Sequence, residues 1–388
     1  MEFTAADVHQ KFIALYQTEP LLVRSPARIN LIGEHTDYND GFVMPAAIDK
    51  EIVFAIAPAT DGRTHIFSLN FNEGVDVGVD IPNPVNSPRW LNYLLGVLKG
   101  MHDQGKLTQA FKCVFGGNIP PGAGVSSSAA LECGFVFALN ELNQFNLPKI
   151  EMIKIAQWAE HNYAGVKCGI MDQFASMMGK KDHVFVLDCR SLSYQYFPIV
   201  LQGYTILLLD TGVKHSLADS EYNTRRKECE EGLLLLKKYY PSLTSLRDAT
   251  PDMLLRHKAA FQSTIYNRCL YVVSENKRVE EASKDLADHN IAAFGFKMYE
   301  THHGLSALYN VSCKELDFLV DEAAKTQEVV GARMMGGGFG GCTINIIESD
   351  RVDAFIEQIK KSYRNRFNIE LKSYLVKVND GSSVILAA

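Results

Sequence analysis

The stretch of sequence that decides the fold is Pro120-Pro121-Gly122-Ala123-Gly124-Val125-Ser126-Ser127-Ser128-Ala129-Ala130. It follows a strand predicted over residues 111–115 and opens a helix predicted over residues 127–142. Its two glycines allow the backbone to approach a ligand closely and to adopt positive φ. The first turn of a helix offers unpaired N–H groups and the positive end of the helix dipole to an anion. The pattern therefore favours a phosphate-binding loop between a strand and a helix.

The loop has two other possible interpretations. The G-x-x-x-x-G-K-[ST] spacing and its lysine are missing, so the loop is not a Walker loop. The simpler alternative is a tight turn in which one serine caps the helix. Three consecutive serines beside Gly-x-Gly exceed what a cap needs, so the phosphate hypothesis is the preferred one.

Strand and helix patterns extend outward from the loop in both directions. The first half of the chain alternates short β-branched or aromatic strands with amphipathic helices. After a strand at residues 205–209 the pattern changes to long helices, predicted at 217–239, 258–289, 294–309 and 314–326. We therefore predict two domains, residues 1–200 and 201–388, with α+β or mixed α/β content.

Composition limits the classes of function. The chain has 388 residues, and 39 Lys+Arg against 45 Asp+Glu give a net charge of −6. This balance, without a basic block, argues against nucleic acid as the main partner. No apolar run approaches the roughly 20 residues that cross a bilayer, and the first residues do not resemble a secretory signal. The eight cysteines are widely spaced, as in a protein with reduced thiols. We expect a cytoplasmic enzyme or sensor of small molecules.

A second glycine cluster, Gly336-Gly337-Gly338-Phe339-Gly340-Gly341, matches G-x-G-x-x-G literally. The dinucleotide-binding fingerprint needs a strand before the glycines and a helix after them. Here the pattern predicts a helix before the cluster and a strand, residues 342–347, after it. The sequence therefore predicts a backbone pressed closely against a neighbour but no dinucleotide site.

A polar segment near the N-terminus, residues 24–40, contains further candidates. Arg28 lies in an apolar stretch, where a guanidinium needs an anionic partner. Glu34, His35 and Asp37 follow in a dense polar turn. They suit either a metal ion or a polyol, whose hydroxyls donate hydrogen bonds to carboxylates, and the polyol is favoured.

One further carboxylate lies among apolar residues. Asp172, in Cys168-Gly169-Ile170-Met171-Asp172-Gln173, needs a cation or strong donors if it is buried. Arg28 is the natural candidate partner, and an Asp that caps the following helix is an equally good alternative. Glu160 is predicted to be an ordinary surface acid.

Taken together, these segments resemble the GHMP small-molecule kinases, and among them the galactokinase family. Residues 28–40 resemble the galactose-binding signature of that family, residues 121–130 its ATP-phosphate loop, and residues 331–341 its third motif. The resemblance runs from about residue 20 to residue 345. It implies an N-terminal α/β domain with a left-handed crossover, a C-terminal ferredoxin-like domain, and a site between them.

The resemblance also implies roles for individual residues. Asp172 would face the sugar 1-hydroxyl, and Arg28 would steady the transferring phosphoryl group. The positions that would bind galactose are Glu34, His35, Asp37, Gly169 and Tyr222. The positions that would hold ATP are Gly122, Ala123, Gly124, Val125, Ser126, Ser127 and Ser128, with Arg89 and Trp90 near the adenine. Ser128 and Glu160 would be ligands of Mg²⁺.

The activity that the resemblance implies is transfer of the ATP γ-phosphoryl group to the 1-hydroxyl of galactose. A kinase for another sugar, such as N-acetylgalactosamine or arabinose, and a non-catalytic galactose sensor are the alternatives. The sensor is disfavoured because Arg28, the serine-rich loop and Asp172 are all present. We expect ATP and Mg²⁺ as cofactors, small molecules as partners, and a monomer or weak oligomer.

Overall fold

Strands and helices alternate through the first half of the chain, and helices dominate the second. The computed structural model describes residues 2–78, 81–106, 108–213 and 218–386, without the side chains of 218–220. The strands are β1 (Leu21–Asn30), β2 (Phe42–Val43), β3 (Pro45–Pro58), β4 (Thr64–Ser68), β5 (Glu73–Val77), β6 (Phe111–Gly117), β7 (His183–Asp188), β8 (Tyr194–Pro198), β9 (Tyr204–Asp210), β10 (Val329–Met334), β11 (Cys342–Glu348), β12 (Lys372–Val376) and β13 (Ser383–Val384).

The helices are α1 (Ala5–Tyr16), α2 (Trp90–Asp103), α3 (Ser127–Asn143), α4 (Lys149–Ala159), α5 (Met171–Met178), α6 (Ala218–Lys237), α7 (Pro251–Arg256), α8 (Ser263–Ala287), α9 (Ile291–His303), α10 (Lys314–Ala324) and α11 (Val352–Phe367). The π-helical turns Glu160–Ala164 and Gly304–Tyr309 extend α4 and α9, respectively. The predicted helix over 127–142 and the strand before it are confirmed. The predicted start of α6 at residue 217 lies outside the described residues.

A mixed six-stranded sheet, in the order β13-β1-β3-β6-β4-β5, is the frame of the first half. Alternate residues of β3 point to opposite faces, as in any strand. Phe54 and Ile56 pack in the core cluster that includes α2, α3, α4 and α5. Val53 and Ala55 pack instead with Val8 of α1. Helices therefore cover both faces of this sheet, and a small sheet, β2-β7-β8, lies beside it.

The second half is built on a four-stranded antiparallel sheet in the order β10-β11-β9-β12. Numbered within this half, the order is 2-3-1-4, which is the ferredoxin-like arrangement that the sequence resemblance implies. The predicted domain boundary near residue 200 stays a prediction. The last strand, β13, pairs with β1 of the first sheet, so the end of the chain returns to the first half.

The structure corrects the predicted surroundings of the second glycine cluster. The element directly before residues 336–341 is the strand β10, not a helix, and β11 follows the cluster. The cluster is thus the loop of a β-hairpin. A dinucleotide fingerprint is still excluded, because it needs a helix after its glycines.

The long helix predicted over 258–289 begins at Ser263, since residues 258–260 form a separate short turn. Within the described ranges, no helix combines the length and the apolar character that a bilayer crossing requires.

Candidate active site

Arg28 and Asp172, which are 144 residues apart in the chain, form a bidentate ion pair. Arg28 Nε donates to Asp172 Oδ1 at 2.7 Å, and Nη2 donates to Oδ2 at 2.8 Å. Burial by itself lowers the pKa of the Arg28 guanidinium, but the Asp172 carboxylate outweighs it and the net shift is upward. The predicted partnership of these residues is confirmed.

Each member of the pair is placed by a regular element. Arg28 lies on β1 directly after a break in the β1–β3 register between Pro26 and Arg28. Its backbone N–H donates to Val125 O at 3.1 Å, and its Nη1 donates to Gly124 O at 2.8 Å. Asp172 lies in the first turn of α5. The guanidinium therefore bridges the Asp172 carboxylate and the loop of residues 120–130, which we call the glycine-serine loop.

The glycine-serine loop has the backbone conformation that its sequence predicts. Gly122 and Gly124 have φ of 78° and 70°, and Ser126 has φ of 60°. Ser126 precedes α3 but makes no side-chain capping hydrogen bond. The capping alternative therefore does not account for this serine. Gly124, Ser126 and Ser128 of the loop line the cavity described below.

The second glycine cluster presses against this first loop. A Cβ placed on Gly336 would lie 3.1 Å from Gly124 O, and one on Gly341 would lie 3.7 Å from Gly122 O. The close neighbour that the sequence predicts for the cluster is thus the first glycine loop itself.

The polar turn after β1 holds Glu34, His35 and Asp37 in buried positions. The Thr36 hydroxyl closes this turn by sharing its one proton between Gly33 O at 2.8 Å and Phe42 O at 2.7 Å. Burial, reinforced by the Asp172 carboxylate, raises the pKa of Asp37 to about 7. The turn therefore brings two carboxyl groups and one imidazole to the same place.

His35 lies between two tyrosine rings, with centroids 5.3 Å from Tyr222 and 4.9 Å from Tyr309. Its Nδ1 is 2.7 Å from the Tyr38 hydroxyl, which in turn is 2.7 Å from the Tyr309 hydroxyl. Burial lowers the pKa of the His35 imidazole to about 4. His35 is therefore neutral at pH 7 and serves hydrogen bonding rather than charge.

Gly169 is required by a close approach. A Cβ at this position would lie 2.0 Å from Asp37 Oδ2. The absence of a side chain at residue 169 thus leaves room for the Asp37 carboxylate.

Glu160 is buried, which corrects its prediction as a surface acid. It begins the π-helical turn after α4, and its Oε2 accepts a hydrogen bond from Gln173 Nε2 at 2.6 Å. Burial, and then the Asp172 carboxylate, raises the pKa of Glu160 to about 7, while a hydrogen bond from the Ser128 side chain lowers it. Glu160 and Ser128 therefore face each other, as the ligand prediction requires.

These groups line one cavity of about 290 Å³. Its wall is formed by Arg28, Glu34, His35, Asp37, Gly124, Ser126, Ser128, Glu160, Val166, Cys168, Met171, Asp172, Tyr222, Gly336, Gly337 and Gly338. A neighbouring cavity of about 300 Å³ is lined largely by apolar side chains. It includes Trp90, Tyr93, Phe115, Ser127 and Leu131, and it shares Ser128 with the first cavity.

Most of the predicted residues therefore meet at two adjoining cavities. Three of the predicted loop residues, Gly122, Ala123 and Val125, are not part of either wall, and the last two are buried in the core. Trp90 contributes its ring to the second cavity, and its Nε1 donates to Glu73 Oε2 at 3.2 Å.

Sequence reasoning missed several residues that shape the site. Tyr309 and Gln173 hold His35 and Glu160 but have no local sequence pattern that marks them. Arg333 is different: it lies in the apolar run Val329-Val330-Gly331-Ala332-Arg333-Met334-Met335. The rule that singled out Arg28, an arginine among apolar residues, would have found it.

Three family models match the chain. They are the galactokinase galactose-binding signature at residues 10–58, the GHMP kinases N terminal domain at 92–180, and the GHMP kinases C terminal at 282–365. The first model covers the polar turn, and the second covers the glycine-serine loop and Asp172.

Curated relatives match over almost their whole length. A galactokinase of Thermotoga neapolitana is 41% identical over 92% of this chain and 98% of its own. A galactokinase of Clostridium perfringens is 41% identical over 95% of this chain and 97% of its own.

Solved structures agree with these matches. The Lactococcus lactis galactokinase complexed with galactose superposes with a TM-score of 0.94, at 31% identity, over 98% of this chain and 99% of its own. The Methanococcus jannaschii mevalonate kinase, at 17% identity and a TM-score of 0.67, shares the fold over 94% of this chain and 100% of its own. With its signature, its two GHMP domains and its near full-length relatives, this chain belongs to the galactokinase family of GHMP kinases.

Proposed function

We propose that this protein transfers the γ-phosphoryl group of ATP to the 1-hydroxyl of galactose, giving galactose 1-phosphate and ADP. The observation that carries the proposal is the Arg28–Asp172 ion pair, which lies in one cavity wall between the polar turn and the glycine-serine loop. A sugar bound by the turn and a nucleotide bound by the loop would meet at this pair.

Phosphoryl transfer asks a protein mainly for positioning and for stabilisation of charge. Asp172 is the group that accepts the hydrogen bond of the 1-hydroxyl and that is placed to take its proton. Arg28 holds Asp172 with two nitrogens and Gly124 O with the third. Its charge therefore lies between the acceptor and the phosphate loop, where negative charge develops.

We assign galactose binding to the residues of the first cavity and its edge: Glu34, His35, Asp37, Gly169 and Tyr222. Four of them carry polar side chains that differ in hydrogen-bonding character: one neutral imidazole, two carboxyl groups and the phenol of Tyr222. Such a set suits the several hydroxyls of a free sugar.

We assign ATP binding to the loop from Gly122 to Ser128 and to the second cavity. The loop residues are Gly122, Ala123, Gly124, Val125, Ser126, Ser127 and Ser128, and the N-terminus of α3 favours phosphate. Trp90 would offer an apolar surface to the base, since its N–H is already bonded to Glu73.

Mg²⁺ fits the donor set at the junction of the two cavities. Ser128 and Glu160 supply a hydroxyl and a carboxylate, hard oxygen donors of the kind that Mg²⁺ prefers. Within the described residues, no cluster of three or more His, Cys, Asp or Glu side chains could hold a metal ion. Two protein ligands, with phosphate oxygens and waters completing the shell, are typical of nucleotide-bound Mg²⁺. Bound there, the ion would neutralise charge on the phosphate oxygens.

We further propose a cytoplasmic enzyme that is a monomer or a weak oligomer, in keeping with its charge and its widely spaced cysteines.

The test is ADP release from purified protein with Mg·ATP and a panel of free sugars, with the product identified by ³¹P NMR. Galactose should give an anomeric phosphate at the highest kcat/KM. A preference for N-acetylgalactosamine or arabinose, or binding without turnover, would replace the proposal by the corresponding alternative.

A further inference from the structure

Arg333, on β10, is a buried arginine that the proposed reaction does not use. Its side chain is 0% exposed, and it lines neither of the two cavities. A guanidinium removed from water is costly unless its donors are paired with an anion or with several dipoles. Its partners therefore indicate what it is for.

All three nitrogens of Arg333 donate hydrogen bonds. Nε donates to Leu31 O at 2.8 Å, and Nη1 donates to Met334 O at 2.7 Å. Nη2 is shared between Asn30 O and Glu34 Oε1, the latter at 3.1 Å. Among these acceptors only Glu34 is a carboxylate. The charge of Arg333 is thus balanced by a residue of the polar turn, 299 positions earlier in the chain.

Glu34 is held so that its two oxygens have different tasks. Its Oε1 accepts from Arg333 and also from the backbone N–H of Gly336 at 2.8 Å. Its Oε2 has no hydrogen-bond partner among the residues that the structure describes. Since Glu34 lines the first cavity, Oε2 is the oxygen left to accept a bond from a bound molecule.

The same arginine also fixes the backbone that leads into the turn. The carbonyls of Asn30 and Leu31 follow directly after the segment of β1 that holds Arg28. A second side chain, Tyr271, donates a hydrogen bond from its hydroxyl to the backbone carbonyl of Glu34 at 3.0 Å. The position of Glu34 is therefore set by side chains from the second half of the chain.

We propose that Arg333 is a positioning residue for sugar recognition, which aims the free oxygen of Glu34 at one hydroxyl of the substrate without touching the substrate itself. The inference rests on the proposed function, because it concerns the galactose site.

The first test is Arg333→Lys, which keeps the charge but loses the planar fork that serves Glu34 and the carbonyls together. We expect the KM for galactose to rise about tenfold or more, with the KM for ATP within about twofold of wild type. A panel of monodeoxygalactoses sharpens the test. The wild type should discriminate against the analogue that lacks the hydroxyl bound by Glu34, and Arg333→Lys should lose that one discrimination while keeping the others.

A double-mutant cycle separates positioning from general damage. In a Glu34→Ala background there is no carboxylate left to aim, so Arg333→Lys should change the KM for galactose by less than about twofold. Equal effects of Arg333→Lys in both backgrounds, or an equal rise in the KM for ATP, would overturn the proposal.

Arg268→Lys is the matched control. Arg268 is also buried and pairs with a carboxylate, Glu228, at 2.9 Å, but it lines neither cavity. We expect Arg268→Lys to lower stability without changing the KM for galactose. If it raises that KM as much as Arg333→Lys does, the positioning role is wrong.

Should Arg333→Lys not fold, Arg333→Gln combined with Glu34→Gln removes both charges together and leaves no unpaired buried ion. It should show the same galactose-specific loss, and a normal KM for galactose would refute the inference. The two proposals fail differently. If the wild-type protein shows no galactose-dependent ADP release, the proposed function is wrong. If the wild type is active and Arg333→Lys leaves the KM for galactose unchanged, only the positioning role is wrong.

Discussion

Asp172 receives both of its short hydrogen bonds from Arg28, so a change at either residue alters the other's surroundings. Asp172→Asn keeps the size of the side chain but cannot accept a proton. We expect kcat to fall about 10²–10⁴-fold, the usual scale for loss of a general base, in ADP-release assays at saturating substrates. Thermal unfolding should show that the variant folds. Near-normal turnover by folded Asp172→Asn would remove this carboxylate from the reaction.

Asp37 makes the stability of the ligand-free protein depend on pH. Its pKa is raised from 3.8 to about 7, so between these values the native state holds a proton that the unfolded chain has lost. The contribution of Asp37 to stability therefore falls as pH rises from about 4 to about 7 and levels off above that.

Asp37→Asn removes this titration. We expect the variant to lose less stability than wild type between pH 5 and pH 8 in urea unfolding experiments, although Glu160, whose pKa is also raised, keeps part of the slope. Parallel pH curves for the two proteins would show that Asp37 does not hold its proton in the native state.

Residue-scale prediction from sequence worked where an apolar run surrounds a charge. It paired Arg28 with Asp172, because a buried guanidinium and a buried carboxylate each need the other. It missed the burial of Glu160, although this residue lies four positions after Ala156 and seven after Ile153, on the buried face of α4. The prediction followed the charge of the side chain, because carboxylates are seldom buried, rather than its place in the helix. It also passed over Arg333, although the rule that singled out Arg28 applies to it equally, since both arginines lie in apolar stretches.

The two glycine loops are the elements that depend most on backbone conformation. Gly338 and Gly122 have nearly equal φ, 84° and 78°, but different neighbours. A Cβ on Gly338 would lie 2.2 Å from Val311 O, whereas one on Gly122 would meet nothing within 4 Å. Alanine substitutions at these two glycines therefore separate the cost of backbone strain from the cost of a steric clash.

We expect Gly122→Ala to cost only the strain of a left-handed alanine, about 1–2 kcal/mol, in unfolding measured without ligand. Gly338→Ala should cost clearly more, since the Val311 backbone must move. Because Gly122 belongs to the loop that we assign to the ATP phosphates, Gly122→Ala should still raise the KM for ATP. Equal losses of stability in the two variants would contradict this account.

At the level of elements, most of the long periodic helices and the strands predicted at 111–115, 205–209 and 342–347 are confirmed, whereas β10 was not predicted. β10 was missed because Gly331 and Arg333 interrupt the pattern of a strand, although the element is buried between β11 and the helices. Its absence from the prediction led to the wrong element before the second glycine cluster. The glycines themselves correctly predicted a close approach, because only that requirement explains so many of them together.

At the scale of the whole molecule, the C-terminal strand β13 packs against the first half of the chain. Sequence patterns gave two halves of different character, but they did not reveal that β13 joins the first sheet, because a two-residue strand has no periodicity. Ser382, just before β13, bonds to Ser176 of α5, with Ser382 N donating to Ser176 O at 2.8 Å. The last described residues thus contact β1, which carries Arg28, and α5, which carries Asp172.

We therefore expect a chain that ends at Val378 to be both less stable and less active. It loses the bonds from Gly381 N to Gly179 O, from Ser382 N to Ser176 O and from Ile385 N to Leu22 O, each 2.8 Å long. At about 1 kcal/mol for each hydrogen bond, with the β13 pairing lost as well, stability should fall by several kcal/mol. Because β1 and α5 both lose support, kcat should fall along with the melting temperature. A chain that ends at Ile385 keeps all three bonds and should match wild type, and a shorter chain with unchanged melting temperature and kcat would show that β1 and α5 hold the Arg28–Asp172 pair unaided.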